Sequence, residues 1–495
     1  MALSAEMMLM LTMVVPVAAV GGIVAAHKLP NIREAVTITA SLMLIYLVTS
    51  LYGISKAGVE VGVQGTELFA ELALSFRIEP LGLIFSLVAS YLWLVTTIYA
   101  IGYMRGHQEQ HQTRFYCCFA IAISSAMGIA YADNLFTLFI FYEVLTLSTY
   151  PLVTHSGTQK AKNGGRVYLG VLLSTSIIFL LLGIISTWYI TGTLDFRAGG
   201  IFGAANAKSA AILLPLFIFG IGKAAIMPFH RWLPSAMVAP TPVSALLHAV
   251  AVVKAGVFTV LKVCTYTFGL DLLGVLPTRD FLLYLGCVTI ILASLVAMRQ
   301  DNLKARLAYS TVSQLSYITV GALLATGAGA LGGAMHIATH AVGKITLFFC
   351  AGAIMVASHK TEISQMKGLG KQMPITMAAF FIGSLSIIGL PPCGGTWSKW
   401  YLMVGAADAS EWLVMAVLMS SSLLNIAYLL PIPLKAFLSN DGVEEDRSFQ
   451  VKEAPLPCLI AICVTALGCL VLFFYPQPLY EIAHAFLEAS GNYVR

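Results

Sequence analysis

Fourteen runs of about 20 apolar residues constrain this chain more than any other feature, because each is long enough to cross about 30 Å of hydrocarbon. They fall near 6 to 26, 35 to 54, 80 to 103, 115 to 132, 134 to 156, 167 to 192, 209 to 230, 239 to 267, 280 to 298, 307 to 326, 329 to 357, 375 to 396, 410 to 435 and 455 to 475. In lipid a segment must satisfy its own backbone hydrogen bonds, so such runs predict an all-α polytopic membrane protein. Of the 495 residues 58% are hydrophobic and 10% charged, which makes the lipid bilayer the solvent for most of the surface. The net charge of +5 is small for this length, its basic residues sit in short loops, and no nucleic acid is expected as a partner. The opening MALSAEMMLML has Glu6 and no basic residue before its apolar run, so a first span is expected there rather than a cleaved signal peptide. Residues 55 to 79 are too polar to cross and alternate in places, which predicts a surface hairpin. Residues 478 to 495 form an interfacial helix or a tail.

Lys and Arg are shared unevenly between the loops: odd-numbered loops hold 17 and even-numbered loops 5. The positive-inside bias then places the odd loops in the cytoplasm and both termini outside. Five lysines, Lys223, Lys254, Lys262, Lys344 and Lys399, remain inside spans.

Two spans are interrupted. The seventh breaks at GIGKAAIMP, with Lys223 in the break and Pro228 beyond it; the twelfth breaks at GLPPCGGTWSKW, with Pro391 and Pro392 in the break and Lys399 just after. Proline lacks a backbone donor and clashes with the preceding turn, so each break frees carbonyls that need water or polar neighbours. The breaks are five spans apart and therefore point oppositely across the membrane. Two inverted five-helix repeats, spans 4 to 8 and 9 to 13, would produce this, and paired broken helices point to a transport site. The expected divisions are 1–110 (spans 1 to 3 with the hairpin), 111–267 (first repeat), 268–437 (second repeat) and 438–495 (span 14 and tail).

A charge at bilayer depth costs about 2.5 to 3.5 kcal/mol on insertion scales, so the buried charges need a reason. Glu143, in NLFTLFIFYEVLTLSTYP, is the one carboxylate placed deep in a span, with Thr146 and Tyr150 on its face at helical spacing. An ion pair favours both charged forms, so Glu143 can set whether Lys223 holds its proton; the plain alternative is a static salt bridge. Lys254 follows one span later, while Lys262 is near a helix end and is expected to snorkel. His248 precedes Lys254 by six residues, about 120° around the helix, and does not share its patch; bonding to a carbonyl would explain it equally well. His230, in PFHRWLP, is a further accessory candidate. His336, His340 and Lys344 stand at i, i+4 and i+8 of MHIATHAVGKITLFF and line one stripe about 12 Å long. Imidazole, with an ordinary pKa of about 6.5, passes protons either way near neutral pH. The rival reading of HxxxH as a zinc pair lacks a nearby carboxylate or cysteine, and Lys344 repels a cation. The nine cysteines show no CxxC spacing and read as reduced packing residues. No metal or cofactor site is expected, and the chemistry on offer is proton transfer along Glu143, Lys223, Lys254, His336, His340, Lys344 and Lys399.

The motifs FYEVLTLSTYPLV, GKAAIMPFHRWLPSAMVAPTPVSALLHAVAVVKAG, DNLKARLAYSTVSQLSY, HIATHAVGK and GLPPCGGTWSK resemble the antiporter-like subunits shared by respiratory complex I (L, M and N), Mrp-type cation/proton antiporters (A and D) and membrane-bound hydrogenases, over residues 80 to 435. The resemblance implies that Glu143 and Lys223 are a modulator and switching lysine. It also makes Lys254 and the His340/Lys344 region connecting relays, and Lys399 the terminal group of the second half-channel. Lysine at 399 is similar to the D-type chains of Mrp antiporters and the L-type chains of complex I, but no room is left after span 14 for the long lateral helix of the L type. The implied function is a proton-translocating subunit of a multisubunit Na⁺ or K⁺/proton antiporter, with other membrane subunits as partners and no enzymatic activity of its own. The alternatives are a proton-pumping subunit of a complex I-like or hydrogenase assembly, and a membrane scaffold for inorganic-carbon uptake.

Overall fold

The computed structural model describes residues 3–69, 72–438 and 451–491. Among these, eleven helices are long and apolar enough to cross a membrane: spans 1 (Ala5–Ala25), 2 (Pro30–Lys56), 3 (Pro80–Gly106), 4 (Gln112–Tyr131), 5 (Leu135–Val153), 6 (Gln159–Thr191), 8 (Thr241–Phe268), 9 (Pro277–Arg299), 11 (Gly327–Ser358), 13 (Trp412–Leu438) and 14 (Leu456–Phe474). Span 10, Leu303–Leu323, is equally long, but Lys304, Arg306, Gln314 and three serines dilute its apolarity. Spans 7 and 12 start as shorter apolar helices, Ala204–Gly220 and Pro374–Ile388. They unwind and then resume, at residues 232–238 and at Gly395–Asp408. The fourteen crossings match the expected number, with two corrections of extent. The apolar runs 209–230 and 375–396 stop at the breaks because the second halves are diluted by Trp, Arg, Lys and Ser. The seventh helix also ends at Gly220, eight residues before Pro228, so the proline lies inside the unwound stretch and does not start it.

Parity assigns the loops to two faces. One cavity is lined together by Glu109, Ser156, Ala239, Asn302 and Lys360, from loops 3, 5, 7, 9 and 11, so these share the basic face. The expected hairpin is present as antiparallel strands β1 (Gly62–Phe69) and β2 (Leu72–Arg77). Its Phe76 bridges Ala132, and Asn134 bridges Asp195, which puts loops 2, 4 and 6 on the opposite face. The final helix, Gln477–Ala489, joins that face, where Lys56 pairs with Glu481 at 3.2 Å. Arg447 and Arg495, counted among the basic residues, lie outside the described residues.

The two repeats share local chemistry. Span 5 and span 10 are each the second helix of their unit, and each is preceded by Asp-Asn-Leu, at 133–135 and 301–303. In each the asparagine caps the helix: Asn134 Oδ1 accepts from Thr137 N at 2.7 Å and Asn302 Oδ1 from Ala305 N at 3.1 Å, satisfying a donor that the first turn leaves free. The two caps stand on opposite faces, as inversion requires. Span 8 is wholly buried between the units. Its Gly256 lies against the span 7 break so closely that a Cβ would sit 2.4 Å from Ala224 N.

Candidate functional site

At each break a side chain from the resumed half donates to a carbonyl of the unwound end; that of Gly222 also accepts from Ala225 N–H at 3.0 Å. Gly222 O accepts from Trp232 Nε1 at 2.9 Å, and Ile388 O from Lys399 Nζ at 2.9 Å. Gly389, at φ +88°, turns the chain there and leaves space for the Lys399 stem, which a Cβ would meet at 2.6 Å.

Lys223 lies in the 3₁₀ turn Gly222–Ala224, fully buried. Its Nζ donates to Tyr142 O at 2.8 Å and to Thr146 Oγ1 at 2.6 Å, over the Tyr142 ring at 3.1 Å from the centroid. Its backbone N–H donates to Tyr142 Oη at 3.1 Å. Glu143 points to a neighbouring sector of span 5, beside exposed Val144 and Leu147, and its two buried carboxylate oxygens accept no hydrogen bond. Thr146, expected on the Glu143 face, instead serves Lys223, and Tyr150 is half-buried. Tyr142 was missed by sequence reasoning; the signal was an aromatic phenol four residues before a threonine, immediately beside the buried carboxylate.

A second group is continuous across the units. Lys254 Nζ and His340 Nδ1 share a hydrogen bond of 2.5 Å. The His340 and His336 rings are 5.7 Å apart. His336 bonds Ser398 Oγ through Nδ1 at 2.9 Å and Gln314 Oε1 through Nε2 at 3.2 Å. Because Gln314 Oε1 only accepts, neutral His336 carries its proton on Nε2. Tyr317 lies between His336, stacked at 5.7 Å, and Lys399, whose Nζ is 4.7 Å from the ring centroid. Lys399 also donates to Ser422 Oγ at 3.2 Å and borders an open cavity of about 300 Å³. Lys344 branches off, donating to Ser310 Oγ at 2.6 Å, which also accepts from Tyr428 Oη at 2.9 Å. Tyr317, Ser398, Gln314, Ser310 and Tyr428 come from other helices, which no single-helix pattern could pair with the histidine stripe.

Three candidates stand apart from this line. Lys262 does not snorkel: it is buried, ion-paired to Glu79 at the start of span 3, and donates to Ala132 O at 2.5 Å. An ammonium near a helix end needs no route to the interface when a carboxylate is brought to it. His230 is half-buried, its ring 6.4 Å from Tyr309. His248 is fully buried against Phe348, ring centroids 4.7 Å apart, and neither ring nitrogen has a hydrogen-bond partner.

Fold and site define a polytopic membrane protein in which two inverted five-helix units are joined by a buried line of lysines and histidines. Residues 132–425 match the family described as NADH:quinone oxidoreductase/Mrp antiporter, TM, and residues 69–116 match the N-terminus of complex I chain 5. The chain belongs to the NADH:quinone oxidoreductase/Mrp antiporter family. It is 31% identical over 416 residues to NADH-quinone oxidoreductase subunit N of Desulforudis audaxviator, covering 81% of this chain and 82% of that one. With NAD(P)H-quinone oxidoreductase chain 5 of Synechocystis sp. it shares 36% over 346 residues, 66% of this chain and 49% of that protein. The chain thus spans about half the length of that chain 5 relative. In structure it is similar, at TM-score 0.86 and 22% identity, to a chain of the Mrp complex from Dietzia sp., over 99% of this chain and 98% of the other. A chain of the membrane-bound sulfane sulfur reductase, an archaeal respiratory membrane complex, also aligns at TM-score 0.86, with 21% identity and 98% of each chain covered.

Proposed function

We propose that the chain is the proton-translocating subunit of a multisubunit Na⁺ or K⁺/proton antiporter. The observation that carries this reading is the bonded and stacked line Lys254–His340–His336–Tyr317–Lys399, which crosses from one unit to the other through the middle of their helices. Neutral His340 accepts from Lys254 on Nδ1 and carries its own proton on Nε2, so taking one proton and releasing the other moves charge along the line. Lys223 is the first station and Glu143 sets its charge through the field rather than by contact. Lys399, at the rim of an open cavity, is the last. The coupled cation would cross elsewhere in an assembly with partner membrane subunits. The basic face is cytoplasmic and both termini lie outside, in a bacterial or archaeal cell membrane, because Lys and Arg cluster on that face.

A second reading has its own support: the 31% identity with a quinone oxidoreductase subunit over 81% of this chain favours conduction driven by electron transfer in a complex I-like assembly. In either case the chain itself is a conductor and not the catalyst.

The test is proton flux in vesicles holding the assembled complex, followed by a pH-sensitive dye with and without Na⁺ or K⁺. Lys399→Ala and Lys254→Met are expected to abolish flux while the complex still assembles. Cation-dependent flux selects exchange; flux requiring a reductant selects redox drive. Full activity of the parent complex with both variants would reduce the chain to a scaffold.

A further inference from the structure

The two units differ in charge where their second helices correspond. Counted from the shared Asp-Asn-Leu, Tyr142, Glu143 and Thr146 of span 5 fall opposite Ser310, Thr311 and Gln314 of span 10. In the first unit Tyr142 and Thr146 hold Lys223, and Glu143 adds a carboxylate whose oxygens are buried. In the second unit Ser310 likewise holds an ammonium, that of Lys344, at 2.6 Å, but Thr311 stands where the carboxylate would be and donates to Leu307 O. The second unit's acidic residues, Asp271, Asp280, Asp301, Glu362, Asp408 and Glu411, all lie in loops or within a turn of a helix end. Lys344 and Lys399 are therefore buried without a counter-charge from their own unit.

Around Ser310, the unmet side-chain atoms among the described residues are all donors. Gln314, one turn along span 10, gives its Oε1 to His336 Nε2 at 3.2 Å, and its Nε2 has no partner. Tyr428 Oη bonds Ser310 Oγ at 2.9 Å and also takes up Asn425 Oδ1, which leaves Asn425 Nδ2 unmet. His340, one turn before Lys344 on span 11, has Nε2 unmet, the atom that carries its proton when Lys254 donates to Nδ1. Gln314, Asn425, His340 and Lys344 are all buried. Buried donors without acceptors are costly, and folded proteins almost always satisfy them. A water that accepts from two of these N–H groups has two protons of its own to place, and Gln314 Oε1 and Asn425 Oδ1 are already taken. An anion only accepts. Arg306, one turn nearer the basic face, donates to the carbonyls of Gln300, Met298 and Tyr428, so its fork is not free to seat a planar oxoanion. Single N–H groups around one ammonium suit a spherical halide.

We propose that a chloride ion binds between spans 10, 11 and 13, held by Gln314 Nε2, Asn425 Nδ2, His340 Nε2 and the Lys344 ammonium, and gives the second unit the buried negative charge that Glu143 gives the first. Contact with an ammonium and with otherwise unmet N–H groups is the setting in which a buried ion pair offsets its desolvation. The site stands whether or not the chain conducts; its effect on flux rests on the conduction reading above.

Two measurements on the assembled complex test this. In the first, crystals of the complex grown with bromide in place of chloride are measured at the bromine absorption edge. Anomalous density is expected between Gln314 and Asn425. It should be absent in Asn425→Asp, a change of nearly identical shape that puts a fixed carboxylate where the halide would stand. No density there in the wild type, or density that persists in Asn425→Asp, overturns the proposal whether or not protons move. In the second, the complex is purified and reconstituted with the same salt on both faces, either chloride or gluconate, a far larger anion. Removing chloride is expected to lower wild-type flux severalfold. Thr311→Glu, which restores the carboxylate found at the equivalent place in span 5, should make flux indifferent to the salt; if that variant does not assemble, Asn425→Asp takes its place, because it carries its own charge to the site. Equal wild-type flux in both salts, or a loss in gluconate that neither variant relieves, overturns the counter-charge role. A complex that conducts in neither salt overturns the conduction reading instead, and the bromide measurement still decides the site.

Discussion

The Nζ of Lys254 stands 2.5 Å from Nδ1 of His340, and that hydrogen bond ties span 8 of the first unit to span 11 of the second. Both residues are buried, so the bond works without competition from solvent. Two groups serving one transfer lose activity non-additively. Lys254→Met and His340→Phe should each cut flux by about 10²-fold or more, and the double variant should be no worse than either single one. Initial rates of dye response in vesicles measure this; additive losses would place the two residues on separate routes.

Lys262 and Lys56 differ in setting. The Lys262–Glu79 pair is buried, whereas Lys56–Glu481 is exposed. Breaking a buried pair strands a charge and costs about 3 to 5 kcal/mol. Glu79→Gln should therefore lower the melting temperature of the purified complex by several degrees, and Lys56→Ala should leave it unchanged. An unchanged melting temperature in Glu79→Gln would mean that water or lipid headgroups already serve Lys262.

Much of this site was legible in the sequence. Lys254, His336, His340, Lys344 and Lys399 declared themselves because an ionisable side chain in a lipid-length run demands a polar interior, and helical spacing put three of them on one stripe. Their partners were not legible. Tyr317, Ser398 and Ser310 look like ordinary span residues until another helix brings a histidine or lysine beside them. Lys262 was misread for the same reason, since its carboxylate arrives from Glu79, some 180 residues earlier in the chain. The second halves of spans 7 and 12 were hidden by the very side chains that satisfy the breaks, Trp232 and Lys399.

His155, in the loop after span 5, gives a pH dependence outside the spans. Burial holds its imidazole below the ordinary histidine range, against the pull of Glu109 nearby. Folded His155 resists a proton that the unfolded chain accepts at about pH 6.5. Its contribution is therefore complete above that pH and is lost as pH falls through 6.5 toward the lower folded value. Melting temperature against pH should decline more steeply below 6.5 in the wild type than in His155→Gln; parallel curves would show that this ring does not titrate with unfolding.

Trp232 and Lys399 occupy equivalent places, each donating to a carbonyl at the unwound end of a break. Trp232→Phe removes the donation to Gly222 O, which keeps Ala225 N–H as a donor at 3.0 Å, so the change costs one net hydrogen bond, about 0.5 to 1.5 kcal/mol, and part of the packing of the indole. The variant should melt lower and conduct more slowly, because Gly222 adjoins Lys223. A variant that melts lower yet conducts normally would show that the turn holding Lys223 is fixed by the Tyr142 contacts alone.

Lys223 and Glu143 separate stability from transport. Lys223 is held by Tyr142 and Thr146 and makes no ion pair, so Lys223→Met replaces a buried charge by an apolar chain of similar length. Removing a buried charge that has no counter-ion in contact lifts its desolvation cost, and the melting temperature should hold or rise while flux disappears. Glu143 accepts no hydrogen bond, so Glu143→Gln removes only its charge. If the carboxylate sets the protonation of Lys223 through space, this variant melts like the wild type and loses flux, whereas Glu143→Asp, with the charge drawn back by one methylene, keeps part of it. Undiminished flux in Glu143→Gln would assign control of Lys223 to Tyr142 and Thr146, and leave the buried carboxylate to whatever packs against Val144 and Leu147.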